Sequence, residues 1–448
     1  MNNKLKILLI SSISPYSSAN LGFDIIKSLE EKGHQVDLIT KFKEKNPSNR
    51  MFSIFNSTSP KSFIGEIKKK IPFLKKIHKP SATKISSNYY SIVIKDELTP
   101  PVNVSLLLDQ INTEYDFVLV LFWKGLITTK SLEGIFLKLK VPIFLLPIDM
   151  LPLTGGCDYF WDCQKFMTGC GMCPGLQFQN ELDCTSENFI VKKLIYNKID
   201  CVFLGNSWMN SYASRSPLFS ENQIGINYLV VNEKIYKPKD KNSIRNKLNI
   251  SSDKKFLIFI GSVNNIQKRK GFSYLVESIN SFCDSLSKIE QSEVLLLIAG
   301  IPLLGLSRKF SLDVKELGYL DYINLSDAYA VSDLYLSASI QDAGPSMVNQ
   351  ALMCGTPVVA FNVGVAIDLV ISGKTGYCAQ LLDSNDLTNG IKSIYNLTIK
   401  EKIDMSENCR STALEASSYL AFSNNIEKTY NEYISHKVNN SKSKNDSL

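Results

Sequence analysis

The chain has 448 residues, enough for two or three domains, each with a core of its own. Its hydrophobic content of 44% and charged content of 21% exclude a disordered or fibrous protein and fit a globular one. The net charge of +7 is modest: it admits anionic ligands or membrane surfaces but does not by itself imply nucleic acid.

The opening MNNKLKILLISSIS imitates a signal peptide, with Lys4 and Lys6 ahead of an apolar run. That run, Ile7–Ile10, is too short, and a first core strand over Lys6–Ser11 is expected instead. A helix is predicted over Leu21–Lys32, ended by Gly33, and a second strand over His34–Ile39. Such a β–α–β opening is the start of a doubly wound sheet. His34 reads as a structural turn residue at the strand edge. Residues 41–100 are polar, rich in Lys and Ser, and read as an insertion. Within it, residues 64–84 carry seven lysines and His78 among Ile, Phe and Leu. The segment is either a solvated surface or an interfacial stretch resting on anionic lipid. Pro72 prevents one clean amphipathic helix.

Buried strands are expected at Phe117–Phe122 and Val141–Ile148. Beyond the cysteine region Leu151–Asp183, the pattern gives a helix Glu187–Ile199, a strand Val202–Gly205, a helix Ser207–Arg215 and a strand Ile224–Val231. Of ten cysteines, six are scattered and suit small core positions. The other four, Cys157, Cys163, Cys170 and Cys173, fall within seventeen residues. Cys-x-x-Cys is a tight chelate turn, and four thiolates suit a structural Zn²⁺ or an iron–sulfur cluster. The five-residue gap between Cys157 and Cys163 is loose for a metal site. A redox pair and plain packing stay open as readings.

A second alternating run begins at Phe256–Gly261. A basic turn (Gln267–Gly271), a helix (Phe272–Asp284), a strand (Val294–Ala299) and a helix near Leu325–Ser332 follow. The longest apolar run, Val294–Leu306, is broken by Gly300 and Pro302 and is too short to span a membrane. A cytoplasmic location is expected. Strand Asp333–Ala338 feeds the stretch Asp342–Phe361, DAGPSMVNQALMCGTPVVAF. Gly344-Pro345 breaks the strand, and Pro345 suits the first helical position. A helix over Ser346–Met353 stops at Gly355, and Val358–Phe361 forms a buried strand. A glycine turn entering a helix is a ready anion site, most naturally for phosphate. Asp342 before it and Gln350 inside the helix could bracket a polyhydroxylated ligand. An ordinary ligand-free crossover has the same pattern. Residues 414–437 read as helix, and Asn439–Leu448 as a disordered tail.

These stretches in this order resemble the GT-B glycosyltransferases, and most closely the retaining type of family 4, which uses nucleotide-sugars. The resemblance covers most of the chain: GHQVDLIT near 33, GNSWMNSYASRS at 205, VVNEKIYKP at 230, GSVNNIQKRKGF at 261, the Asp342 stretch, and VGVAIDLVISGKTGYCA at 363. The cysteine block, Thr154-Gly155-Gly156-Cys157 through Cys173-Pro174, is similar to that of a subgroup building bacterial exopolysaccharide and O-antigen. The implied fold is α/β: two Rossmann-like doubly wound domains facing across a cleft. Residues 1–229 would be the acceptor domain, carrying the insertion 41–100 and the cysteine block 154–184. Residues 230–415 would bind the nucleotide-sugar, 416–437 would be a helix crossing back, and 438–448 a tail.

The resemblance implies a transfer from a nucleotide-diphosphate sugar to a lipid-linked saccharide acceptor, with retention, in bacterial surface polysaccharide assembly. It places Asp342 on the donor sugar, Gln350 on the ribose, and Lys270 on the diphosphate. Further donor contacts fall to Gly261, Arg269, Gly344, Pro345, Ser346 and Met347. Five departures from the family pattern stand out: Asp where Glu is usual, the uncharged Gln350, Ser262 or Val263 in place of an Arg, a loop Ser12–Gly22 with only Gly22 where a glycine-rich one is usual, and Ile148-Asp149 without a preceding His. Arg269 or Lys268 would compensate for the Arg. Asp149 is the polar group left to orient the acceptor, and the departing phosphate itself can take the acceptor proton. No catalytic cofactor is implied, and structural zinc at the cysteine block is the one metal expected. The implied setting is cytoplasmic, peripheral on the inner face of the membrane, with residues 64–84 on anionic lipid and no nucleic-acid partner. The rival reading is a degenerate GT-B protein that binds a nucleotide-sugar or a partner enzyme without turnover.

Overall fold

Parallel pairing organises both sheets of the computed structural model, which describes residues 4–14, 20–42, 50–55, 91–109, 111, 114–177, 180–261, 267–300 and 305–445. The first sheet contains β1 (Lys6–Ser11), β2 (Gln35–Phe42), β3 (Met51–Phe55), β4 (Phe117–Phe122), β5 (Ile143–Leu145), β6 (Cys201–Gly205) and β7 (Ile224–Ile226), in spatial order 3-2-1-4-5-6-7. The second contains β8 (Phe256–Gly261), β9 (Val294–Ala299), β10 (Asp313–Gly318), β11 (Leu334–Ser337), β12 (Val358–Phe361) and β13 (Gly376–Ala379), in order 10-9-8-11-12-13. Contacts divide the chain into two compact units, Met1–Gly205 with Met209–Ile226, and Asn206–Trp208 with Asn227–Leu448.

The strands are apolar on both faces because helices cover both faces of such a sheet. In β8, Leu257 through Ile260 are fully buried, and Leu296 and Leu297 of β9 pair in register beside them. The register Ile7↔Val36 and Ile7↔Phe117 puts β1 between β2 and β4 in the interior of the first sheet. His34 is the expected structural residue: it is buried, and its Nδ1 accepts the Leu5 N–H at 3.2 Å.

Several boundaries differ from the sequence expectations. Strand β5 covers only Ile143–Leu145, because Pro142 and Pro147 cannot donate to the ladder. Strand β7 stops at Ile226: Asn227 is buried and its side chain accepts the N–H of the next residue, Tyr228, at 3.0 Å, a local bond that competes with the ladder. The polar insertion contributes the edge strand β3, paired parallel to β2. The basic segment 64–84, His78 and positions Ser262 and Val263 lie outside the described residues. The helix expected at 414–437 is two helices, Ile399–Ser417 and Tyr419–Asn445. Ser418 leaves the helical region, with ψ 164°, and Glu233 accepts the Tyr419 N–H at 3.1 Å. The second helix includes most of the expected tail, because adding a residue to a formed helix costs far less than nucleating one. No helix among the described residues is long and apolar enough to cross a membrane.

Candidate functional site

In a doubly wound sheet the ligand crevice lies beyond the carboxyl ends of the two strands where the order reverses. In the second sheet those strands are β8 and β11. Strand β8 ends at Gly261 and leads to the basic turn; β11 ends at Ser337 and leads to Asp342. Two stretches distant in sequence therefore meet at one edge.

The basic turn, Lys268–Lys270, is a single 3₁₀ turn. Gly271 follows in the left-handed region at φ 63°, and opens the Phe272–Asp284 helix. A Cβ there would lie 1.8 Å from the Ala338 carbonyl oxygen, so the position requires glycine. The Arg269 carbonyl accepts the N–H groups of Ile340, at 2.8 Å, and Gln341, at 3.3 Å, which ties the two turns together. Their side chains then converge. Asp342 Oδ2 lies 2.5 Å from Lys270 Nζ and 3.2 Å from Arg269 Nη1. Ser339 donates its hydroxyl to the same oxygen at 3.4 Å. Burial pushes the Asp342 carboxyl up, but the Lys270 and Arg269 charges outweigh it and hold the pKa below the usual carboxylate range.

The Ser346–Met353 helix leaves this edge. Pro345 is its N-cap, with ψ 102°, so the first helical residue is Ser346 rather than the proline expected there. Gly355 follows the C-cap at φ 75°, as expected. Gly344, Ser346 and Met347 keep partial exposure, and Pro345 is buried. The Met347 methyl packs over Gly261, where a Cβ would approach it to 2.1 Å. Asn206, which belongs to the second unit, donates to the Ala343 carbonyl at 2.6 Å and fixes the turn. Gly364, at φ 58°, approaches the same turn so closely that a Cβ would stand 2.5 Å from the Asp342 carbonyl oxygen.

Gln350 is placed otherwise than a surface contact would be. It is 3% exposed, and its Oε1 accepts the Tyr329 hydroxyl at 3.3 Å. The sequence reading did not single out Tyr329, because a lone tyrosine in a helix carries no motif.

In the first unit, Asp149 follows β5 at the carboxyl edge of that sheet. Its Oδ1 accepts the Leu151 N–H at 3.0 Å. Although the residue keeps some exposed surface, burial of the carboxyl pushes its pKa up to about 7, against the Leu151 hydrogen bond. The charge of Asp158 adds to the rise, and Lys124 and Lys192 oppose it.

The cysteine block lies next along the chain. Cys157, Cys163, Cys170 and Cys173 are all free and line one cavity of about 20 Å³ with Phe160 and Phe166. The Gly155 N–H points at Cys170 Sγ at 3.3 Å, and the Thr185 hydroxyl donates to Asp183 Oδ1 at 2.6 Å while Asp183 Oδ2 accepts the Cys173 N–H at 2.8 Å. Among the described residues, no group of three or more His, Cys, Asp or Glu side chains is placed to hold a metal ion. Burial pushes the Cys170 thiol up to about 12 and Cys157 higher still, as expected of protonated thiols.

Residues 240–412 match the sequence model of the family described as Glycosyl transferases group 1. A stretch of 166 residues is 23% identical to N-acetyl-alpha-D-glucosaminyl L-malate synthase of Bacillus anthracis, covering 36% of this chain and 42% of that protein. The match thus spans less than half of that relative's length. In fold the chain is similar to sucrose-phosphate synthase from Thermosynechococcus elongatus, with TM-score 0.65, 16% identity, and 97% and 100% of the two chains covered. It is also similar to Anabaena HepE in complex with UDP-glucose, with TM-score 0.57, 15% identity, and 95% and 99% covered. The two parallel-sheet units have the fold of the GT-B glycosyltransferases, and residues 240–412 of the second match glycosyl transferases group 1.

Proposed function

We propose that the chain is a glycosyltransferase that takes a sugar from a nucleotide-diphosphate donor. The observation that carries this reading is the convergence of Lys270 and Arg269 on Asp342 at the switch point of the second sheet. A diphosphate leaving group gains negative charge as the glycosidic bond breaks, and preset cations stabilise that charge. Lys270 and Arg269 supply it, and Asp342 accepts from the donor sugar's hydroxyls once phosphate shares its two cations. The Val348 N–H donates to the Pro345 carbonyl at 2.9 Å, and the N–H groups of Ser346 and Met347 precede it at the positive end of the helix. Gly261, Gly344, Pro345 and Met347 shape the wall. Gln350 meets the ribose through its amide, held by Tyr329.

The anomeric carbon's bond to the diphosphate oxygen breaks, and its bond to the acceptor hydroxyl oxygen forms. The acceptor proton goes to the departing phosphate, with retention at the anomeric carbon. Asp149, in the first unit, orients the acceptor hydroxyl. The family 4 assignment, a lipid-linked saccharide acceptor, and a place in bacterial surface polysaccharide assembly on the inner face of the membrane belong to the same reading. The similarity of the cysteine block and the basic segment 64–84 support them. The domain limits at 230 and 416 belong to it too. A structural zinc or iron ion drawing the four thiols inward is a further part: the cavity is the size of about one water molecule.

Purified protein incubated with labelled UDP- and GDP-sugars and extracted lipid acceptors tests the reading. Transfer from one donor is the expected result. Tight donor binding with neither transfer nor slow hydrolysis would leave a nucleotide-sugar-binding module instead.

A further inference from the structure

Lys192 is the least expected side chain of the first unit. It lies on the Cys184–Tyr196 helix with no exposed surface, and lysine is almost never fully buried without a partner. Its partner is Glu97, equally buried, with Oε1 at 3.1 Å from Nζ. The pair is held on every side. Glu97 Oε2 accepts the Thr129 N–H at 2.7 Å, and Asn188 accepts the Glu97 N–H at 2.9 Å. Lys192 Nζ stands 5.5 Å from the Trp123 ring centroid. It spends its remaining donors on two carbonyls of one short turn, those of Leu151 and of Thr154, the latter at 2.7 Å.

Burying two charges costs several kcal/mol per ion before their attraction is counted, and an apolar pair of similar volume is often at least as stable. Core stability is therefore a poor reason for this arrangement. What the pair does hold is position. The two carbonyls belong to the turn that leaves Asp149, whose Oδ1 is bonded to the Leu151 N–H. One ammonium thus fixes the carbonyl of the residue whose N–H fixes Asp149.

We propose that Lys192, seated by Glu97, is a positioning residue for Asp149: it sets the 151–154 turn whose Leu151 N–H holds the Asp149 carboxyl. The assignment of Asp149 to the acceptor comes from the proposed function, and the consequence for transfer rests on that reading. The charged groups acting on Asp149 are Asp158, which favours the neutral acid, and Lys124 and Lys192, which favour the carboxylate. Lys124 is mostly exposed and lies 3.9 Å from Asp158, so solvent and that carboxylate screen it. Lys192 is the shielded cation of the set.

The test needs no transfer activity. A carboxyl whose folded pKa is about 7 keeps its proton in the folded chain after the unfolded chain has lost it. Wild type therefore loses stability relative to Asp149→Asn as pH rises from about 4, and the loss levels off near pH 7. Denaturant unfolding from pH 4 to 9 reads that plateau. In Lys192→Met, compared with Lys192→Met/Asp149→Asn, the plateau is expected to move up in pH; in Lys192→Arg, which keeps the charge, it stays. An unmoved plateau in Lys192→Met, or an equal shift in Lys192→Arg, overturns the proposal. If Lys192→Met does not fold, Glu97→Gln replaces it. A less compensated ammonium moves the plateau down, and any other outcome refutes the pair's role. The acid limb of the transfer pH profile should move with the plateau. A plateau that moves without the limb would keep the positioning pair and remove Asp149 from the reaction.

Discussion

Replacing Lys270 by Ala removes one cation from the switch-point edge of the second sheet. Lys270 Nζ is 2.5 Å from Asp342 Oδ2, with the two side chains 22% and 7% exposed. A hydrogen bond to a charged group contributes about 1.5–3 kcal/mol. At 1.4 kcal/mol per tenfold, the variant's affinity for the nucleotide-sugar should fall about 10- to 100-fold. The fold should suffer less. Removing one partner of a buried pair costs roughly 3–5 kcal/mol when the survivor is left alone, but Arg269 remains at 3.2 Å. A loss of about 1–2 kcal/mol is expected on that basis. Asp342 also supplies a pH signature. Its folded pKa is held low, so its contribution is present above the unfolded carboxylate pKa and lost as pH falls through the folded one. Without Lys270 the folded pKa rises, so that acid loss should be smaller and should level off at a higher pH. Titration calorimetry with the donor, beside urea unfolding from pH 2.5 to 7, measures both quantities. A folded Lys270→Ala protein with wild-type donor affinity would refute the phosphate role of the basic turn.

Gln350→Glu should retain or raise donor affinity while lowering stability by about 1–3 kcal/mol, because the new carboxylate is buried against Tyr329. Complete loss of donor binding would show that the amide N–H is required. Gly271→Ala should cost at least about 2 kcal/mol in denaturant unfolding, since a left-handed φ and the Ala338 carbonyl both oppose a Cβ. A near-neutral effect would mean that the two turns are not packed as described. Metal analysis of protein purified without chelator should find about one zinc or one iron centre per chain, lost in Cys170→Ser/Cys173→Ser. Metal-free protein of full stability would leave the block as packing alone.

The sequence by itself determined the two alternating runs, because hydrophobic runs of strand length between amphipathic helices have few other ways to bury themselves. The limits of β1, β4, β8, β9 and β12 and of the Phe272–Asp284 and Ser346–Met353 helices were legible, since the apolar run itself bounds β1 and β4, and Gly or Pro marks at least one end of the others. That Lys270, Arg269 and the Asp342 stretch follow strands of one sheet was legible too, through their order along the chain. Tertiary structure decided what they do to one another. Spacing could not show that Lys270 and Arg269, more than seventy residues from Asp342, close on its carboxylate. Nor could it show that Gln350 turns to Tyr329. Lys192 is the clearest case. In the run IVKKLIY it reads as one of two exposed lysines of a helix, because helical periodicity marks an apolar face but not which charge will be buried. That depended on Glu97 arriving from 95 residues away, and a partner brought by the fold leaves no local trace in either segment.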